Sequence, residues 1–156
     1  MKKCKYLLTC LVGLFLVGCG ILPFEREIKV DHFRIENFKQ DIDSPSELIH
    51  LMCYRKKPTN WSEPKQYLNG EHRLWVEANI STSSMNTKEA FVLFNVKLDS
   101  GKSYMINRKI KDGKISIWIQ ESDSAIKVSE VITTDLNIAA LGKRTFRQKR
   151  CKSGTI

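Results

Sequence analysis

The feature that most constrains the fold is the Asp112-Gly113 pair, set between two runs in which apolar and polar residues alternate. Both residues tolerate positive φ, as the two central positions of a type I′ hairpin turn require. If Lys111 faces Lys114, then Ile110 pairs with Ile115, Arg108 with Ile117 and Ile106 with Ile119 on one face. The other face receives Asn107 opposite Trp118 and Met105 opposite Gln120. A period of two with one apolar side describes a half-buried sheet, and a slip of one residue would turn every apolar side chain to water. The same alternation recurs upstream. In Arg73 to Ile80, Leu74, Val76, Ala78 and Ile80 share a face against Trp75, Glu77 and Asn79; in Phe91 to Leu98, Val92, Phe94, Val96 and Leu98 oppose Leu93, Asn95 and Lys97. Asn69-Gly70 reads as a turn introducing the first of these strands, Ser81 to Lys88 as a polar loop, and Asp99-Ser100-Gly101 as a three-residue hairpin connection. Together they predict an antiparallel meander.

The flanking segments are less regular. Between Ile28 and Phe38 the apolar positions change parity, from Ile28 and Val30 to Phe33 and Ile35, which suggests a strand with a bulge or bend. Ser44-Pro45-Ser46-Glu47 has the spacing of a helix capping box, but the apolar run Leu48 to Tyr54 reads better as a buried strand after a turn, carrying Cys53 into the core. Arg55 to Lys65, with Pro58, Asn60 and Pro64, reads as a loop in which Trp61 covers the core edge. Glu121 to Ser124 is a turn, Ile126, Val128, Val131 and Ile132 supply another strand, and Leu136 to Leu141 is a helical turn or an edge strand. The expected fold is an all-β, antiparallel sandwich of seven or eight strands spanning residues 28–142.

The N-terminus belongs to a different regime. Lys2, Lys3 and Lys5 precede an apolar run from Tyr6 to Val17, which falls short of the roughly 20 residues that span a bilayer. That is the layout of an export signal. At its end Leu16-Val17-Gly18-Cys19 resembles the lipobox of bacterial lipoproteins. The resemblance implies a signal peptide of residues 1–18, a diacylglyceryl group and an N-acyl chain on Cys19, and a short tether over residues 19–27. Gly20 follows the cysteine, where an Asp would imply inner-membrane retention. The implied location is therefore the outer membrane with the domain facing the periplasm, or the inner or plasma membrane if sorting differs. The tether, extended, reaches only about 25 to 30 Å.

Export also sorts the cysteines and the charge. Cys4 and Cys10 leave with the signal and Cys19 carries lipid, so Cys53 and Cys151 remain. In an oxidising compartment they form one bridge most simply, with free thiols or an intermolecular bond as alternatives. The formal net charge is +9. Three of the 26 Lys and Arg residues lie in the signal and six in the last fourteen residues, leaving 17 to balance all 17 acids. The whole mature excess is Lys143, Arg144, Arg147, Lys149, Arg150 and Lys152, in a basic C-terminal tail of residues 143–156. Such a tail suits anionic lipid headgroups or an acidic envelope protein, or else it is a solvated terminal strand. A neutral body in the periplasm makes nucleic acid a poor partner.

The chemistry-bearing patterns are sparse. His32, His50 and His72 show no metal-ligand spacing, and there is no nucleophile elbow, phosphate-binding glycine loop or paired CxxC. No metal, no cofactor beyond the acyl chains and no catalytic site are expected. Asn69-Gly70-Glu71-His72-Arg73-Leu74-Trp75-Val76 and Leu98-Asp99-Ser100-Gly101-Lys102-Ser103-Tyr104 are similar to small periplasmic lipoproteins with immunoglobulin-like or PEGA-like sandwiches. A transthyretin-like sandwich, as in the lipoprotein subunit of type VI secretion systems, is a neighbouring expectation. Function is then expected to be that of a membrane-anchored binding or structural module. The alternatives are a subunit of a secretion or conjugation apparatus, or a periplasmic inhibitor or immunity protein.

Overall fold

A computed structural model describes residues 27–40, 46–59, 64–83, 86–139, 142 and 144–156. The expected signal, Cys19, Ser44-Pro45, Trp61 and Lys143, all named above, lie outside them. The chain is all-β apart from one C-terminal helix. In order the strands are β1 (His32–Glu36), β2 (Phe38–Gln40), β3 (Ser46–Leu51), β4 (Cys53–Tyr54), β5 (Lys57–Pro58), β6 (Lys65–Leu68), β7 (Gly70–Ser83), β8 (Asn86–Leu98), β9 (Ser103–Lys111), β10 (Lys114–Glu121), β11 (Ile132–Asp135) and β12 (Asn137–Ile138), followed by α1 (Arg144–Ser153). Two five-stranded sheets, ordered β11-β10-β9-β1-β6 and β12-β8-β7-β3-β2, enclose the core, and β4-β5 form a small hairpin beside them. Below, these are the first sheet, the second sheet and the side hairpin.

The β9–β10 hairpin has the register its sequence demands, with Ile110 opposite Ile115, Arg108 opposite Ile117 and Ile106 opposite Ile119. Asp112 and Gly113 have φ of 51° and 75°, as a type I′ turn needs. Leu74, Val76, Ala78 and Ile80 of β7 and Val92, Phe94, Val96 and Leu98 of β8 face inward from the second sheet. They meet Phe33, Ile35, Tyr104, Ile106, Ile115, Ile117 and Ile119 from the first. Phe33 sits among Tyr67, Tyr104 and His72 at ring separations of 5.2 to 6.0 Å. The one charged side chain in the inward row of β9, Arg108, reaches across the sandwich to Glu47 of β3 and to Gln40 of β2, at 3.0 Å from the Gln40 oxygen. Its guanidinium also lies over the Phe38 ring, 3.9 Å from the centroid. An ionised group at the rim of the core is thus paired by the opposite sheet.

Several local expectations change because the chain keeps passing between sheets. The parity shift between Val30 and Phe33 is a turn ahead of the strand, with Asp31 at φ 57° and β1 beginning at His32. At Asn37 the chain leaves the first sheet for the second, and the Asn37 side-chain oxygen accepts a hydrogen bond from the Leu51 amide at 3.0 Å. Asn69-Gly70 likewise carries the chain from β6 to β7 in the other sheet, with Gly70 at φ 123°. Asp99 to Lys102 connects β8 to β9 across the sandwich, so it closes no hairpin; the Tyr104 hydroxyl accepts the Asp99 amide at 3.0 Å and fixes the corner. The polar segment expected as a loop, Ser81 to Lys88, instead extends the β7–β8 ladder over its described residues, with a register shift between Ser81 and Ser83. One pairing is parallel, β1 with β9, which the expectation of a wholly antiparallel sandwich did not include. Both strands begin at the end that holds the Asn69-Gly70 and Asp99 to Lys102 crossings, where the Asn69 amide donates to the Asp31 carbonyl and the Gly101 amide to the His32 carbonyl. Only Ile132 of the expected strand Ile126 to Ile132 enters a ladder, and Leu136 crosses from β11 to β12.

The inward row of β10 sets a direct check. Ile117→Ala should lower the unfolding free energy by about 2 to 5 kcal/mol in urea titration. Ser116→Ala, one residue away on the outward face, should change it by no more than about 0.5 kcal/mol. Equal losses would contradict the face assignment.

Candidate functional site: a basic helix clamped to the second sheet

The basic tail is a helix packed on the outer face of the second sheet, and this corrects the expectation of a solvated terminal strand. Its residues divide by helical geometry, since positions three and four apart share a side. Arg147, Arg150 and Cys151 turn toward the sheet, whereas Arg144, Thr145, Gln148, Lys149 and Lys152 face solvent. The helix contains no acidic residue.

Three kinds of contact hold it. Cys151 is bonded to Cys53 at a Cα separation of 5.5 Å, across 98 residues of chain, and Met52, Trp75 and Phe91 pack around the bridge. In the chain-entropy model such a closure contributes about 4 to 5 kcal/mol. Arg147 donates to the Glu77 carboxylate, which is 0 % exposed. The Arg150 guanidinium lies over the rings of Phe146, Trp75 and Phe91, at 3.8, 4.4 and 4.8 Å from their centroids. At the end of the helix the Trp75 indole donates to the Ser153 hydroxyl at 3.1 Å, and just beyond it the Thr155 amide donates to the Arg73 carbonyl at 3.1 Å. Gly154 permits this approach, because a Cβ there would stand 3.2 Å from the Arg73 carbonyl oxygen.

Beneath α1 the register sets His50 of β3 opposite Glu77 of β7. His50 is 1 % exposed, with Nε2 3.9 Å from the Glu77 carboxylate, and the Asn79 amide donates to Glu77 at 3.2 Å. Burial pushes the His50 pKa below its usual range; Glu77 opposes the shift without cancelling it. The imidazole is therefore neutral at pH 7, and Glu77 is matched by Arg147. The pair is roofed by the helix, so its chemistry is that of an anchor. Among the described residues, no three His, Cys, Asp or Glu side chains converge as metal ligands.

The structure thus separates the residues named from sequence. Cys53 and Cys151 are joined, Arg147 and Arg150 are spent on the sheet, and Arg144, Lys149 and Lys152 remain at the surface. It also adds cations that the sequence reading passed over. The side hairpin packs against α1 and turns at Arg55-Lys56, which with Lys57 are exposed. Their signal was legible as three consecutive cations between Tyr54 and Pro58. Glu77 was readable only as one of three outward residues of β7, because alternation assigns a face and says nothing of what covers it. A hollow of about 380 Å³ lies by the first sheet, between Glu27, Arg34, Lys102 and Glu121. Its cations are already engaged, Lys102 with Glu121 and Arg34 with Glu36.

Removing one partner of the buried pair, as in Arg147→Met, should cost about 3 to 5 kcal/mol, because Glu77 is left uncompensated. The double variant Glu77→Leu with Arg147→Met should recover most of that loss in urea unfolding; additive losses would show that the pair is not coupled. His50 gives a pH signature. Its pKa is lower folded than unfolded, so the unfolded chain binds the proton first, and stability is lost as pH falls below about 6.5 toward the folded value. His50→Gln should flatten this part of the stability profile between about pH 7 and 5. An unchanged slope would contradict a buried neutral imidazole.

No known protein family, curated protein or solved structure matches the chain, so a functional reading rests on the clamped helix and the charges it leaves in solvent.

Proposed function

We propose that the chain is an envelope lipoprotein, anchored through acyl chains on Cys19 in the outer membrane and facing the periplasm, which acts as a noncatalytic binding or structural module. The observation that carries this reading is the division of α1. A disulfide, a buried ion pair and a stacked arginine fix one side of the helix, while Arg144, Lys149 and Lys152 stand free on the other. A terminal segment serving only to cover the sheet needs its inward residues alone. A basic outward face held rigid by so many contacts loses little conformational entropy when it meets an anionic partner. The bridge also fits an oxidising compartment, as export through the N-terminal signal requires.

The test has two parts. Radiolabelled palmitate should be incorporated into the full chain, and Cys19→Ala should abolish labelling and leave the precursor at full length; unchanged labelling refutes the anchor. Cross-linking in intact cells from a photoreactive residue at Gln148, on the outward face of α1, should capture an envelope component. The same residue at Asn95 on the outer face of β8 should capture it less. Equal capture at both positions would refute α1 as the contact face.

A further inference from the structure

We infer that the β6 edge of the sandwich, together with the side hairpin and the C-terminal half of α1, docks on the anionic headgroup surface of the membrane that holds the anchor. This rests on the lipid-anchor reading above and adds an orientation and a ligand chemistry to it.

The first argument is where the tether ends. The Glu27 carbonyl accepts a hydrogen bond from the Gln66 side chain at 2.9 Å, and the Gln66 oxygen accepts the Lys29 amide at 2.9 Å. Gln66 belongs to β6, an edge strand, so the chain leads away toward Cys19 from beside that edge. Residues 20–26 then limit the separation from the bilayer to about 25 Å. The side hairpin occupies the same edge: Tyr54 packs on Tyr67 of β6 at a ring separation of 6.2 Å, and Arg55 extends over Tyr54. Cys53, next to Tyr54, is bonded to Cys151, which brings Lys149 and Lys152 to the same region.

The second argument is chemical. Exposed here are Lys29, Arg55, Lys56, Lys57, Lys149 and Lys152, against the acids Glu27 and Asp31. Beside them Val30 and Leu68 are 85 % and 63 % exposed, next to the pairing of His32 with Leu68. Clustered cations with isolated apolar side chains suit a phosphate-bearing lipid surface better than a protein partner, whose interface centres on a desolvated apolar pocket.

The third argument is backbone strain. Arg55 and Lys56 both have positive φ, 51° and 59°. These are the central positions of a two-residue hairpin turn between Tyr54 and Lys57, where Asn-Gly is the least strained pair. Two long cationic side chains are held where the backbone disfavours them, and strain retained in this way points to a use for the side chains.

That strain makes a test in which loss of binding cannot be blamed on misfolding. The full chain, acylated and reconstituted in phosphatidylcholine vesicles with or without phosphatidylglycerol, carries an environment-sensitive dye on Leu68→Cys or, at the opposite end of the sandwich, on Lys111→Cys. Iodide should quench the dye at 68 roughly twofold less when phosphatidylglycerol is present, and about 0.5 M salt should abolish the difference. Quenching at 111 should not depend on lipid composition. Arg55→Asn with Lys56→Gly should erase the protection at 68 while raising the urea midpoint. Equal quenching at 68 in the two vesicle types, or full protection in the double variant, overturns the docking surface. If the mass of the N-terminal peptide shows no acyl chain, the anchor reading fails separately. The unacylated full chain then decides the surface by cosedimentation: binding to phosphatidylglycerol vesicles that the double variant loses supports it, and no binding overturns it.

Discussion

The bond between Cys53 and Cys151 ties β4 of the side hairpin to a helix 98 residues later, and the outer face of the second sheet is organised around it. With the helix placed there, Glu77 and His50 become interior groups, although they occupy outward positions of their strands. A buried carboxylate requires a partner, and Arg147, one turn before Cys151, supplies it. Arg150 adds a planar cation over three aromatic rings, an arrangement available to arginine because its guanidinium is flat and weakly hydrated. The remaining cations of the helix are left outside as a consequence of the same placement.

This division changes what the excess charge means. Read from the sequence, six tail cations form one basic patch. In the fold, Arg147 and Arg150 answer the needs of the sheet, and the surface charge is rebuilt from Arg144, Lys149 and Lys152 together with Arg55, Lys56 and Lys57 of the side hairpin. Two segments far apart in sequence, α1 and the side hairpin, therefore pack together with their cations exposed. Their rigidity comes from the disulfide and the buried pair, which act on the backbone carrying the charges.

How much was legible depends on the range of the interaction involved. The β9–β10 register followed from a dipeptide and a period of two, both local, and the inward rows of β7 and β8 followed from alternation alone. The corners did not. Asn69-Gly70 and Asp99 to Gly101 carry residues that turn a backbone, but turn chemistry is silent on whether the next strand pairs with the last or crosses to the other sheet. The basic tail was legible in composition and misread in state, because its outward and inward residues separate only when helical geometry is applied against a known surface. The Cys53–Cys151 pairing was accessible because assigning Cys19 to lipid left an even number; the burial of Glu77 needed the helix that this bridge positions.

α1 is a fixed part of the second sheet's outer layer, so its outward cations form a standing surface. Native-state hydrogen exchange on the full chain tests it directly, because amide protection reports the free energy of opening a segment. The amides from Arg150 to Ser153 should be protected to a degree approaching that of the β7 core, and Arg147→Met should lower their protection with little effect on β9 and β10. Exchange of these amides at the rate of an unstructured peptide, with the disulfide intact, would contradict the account.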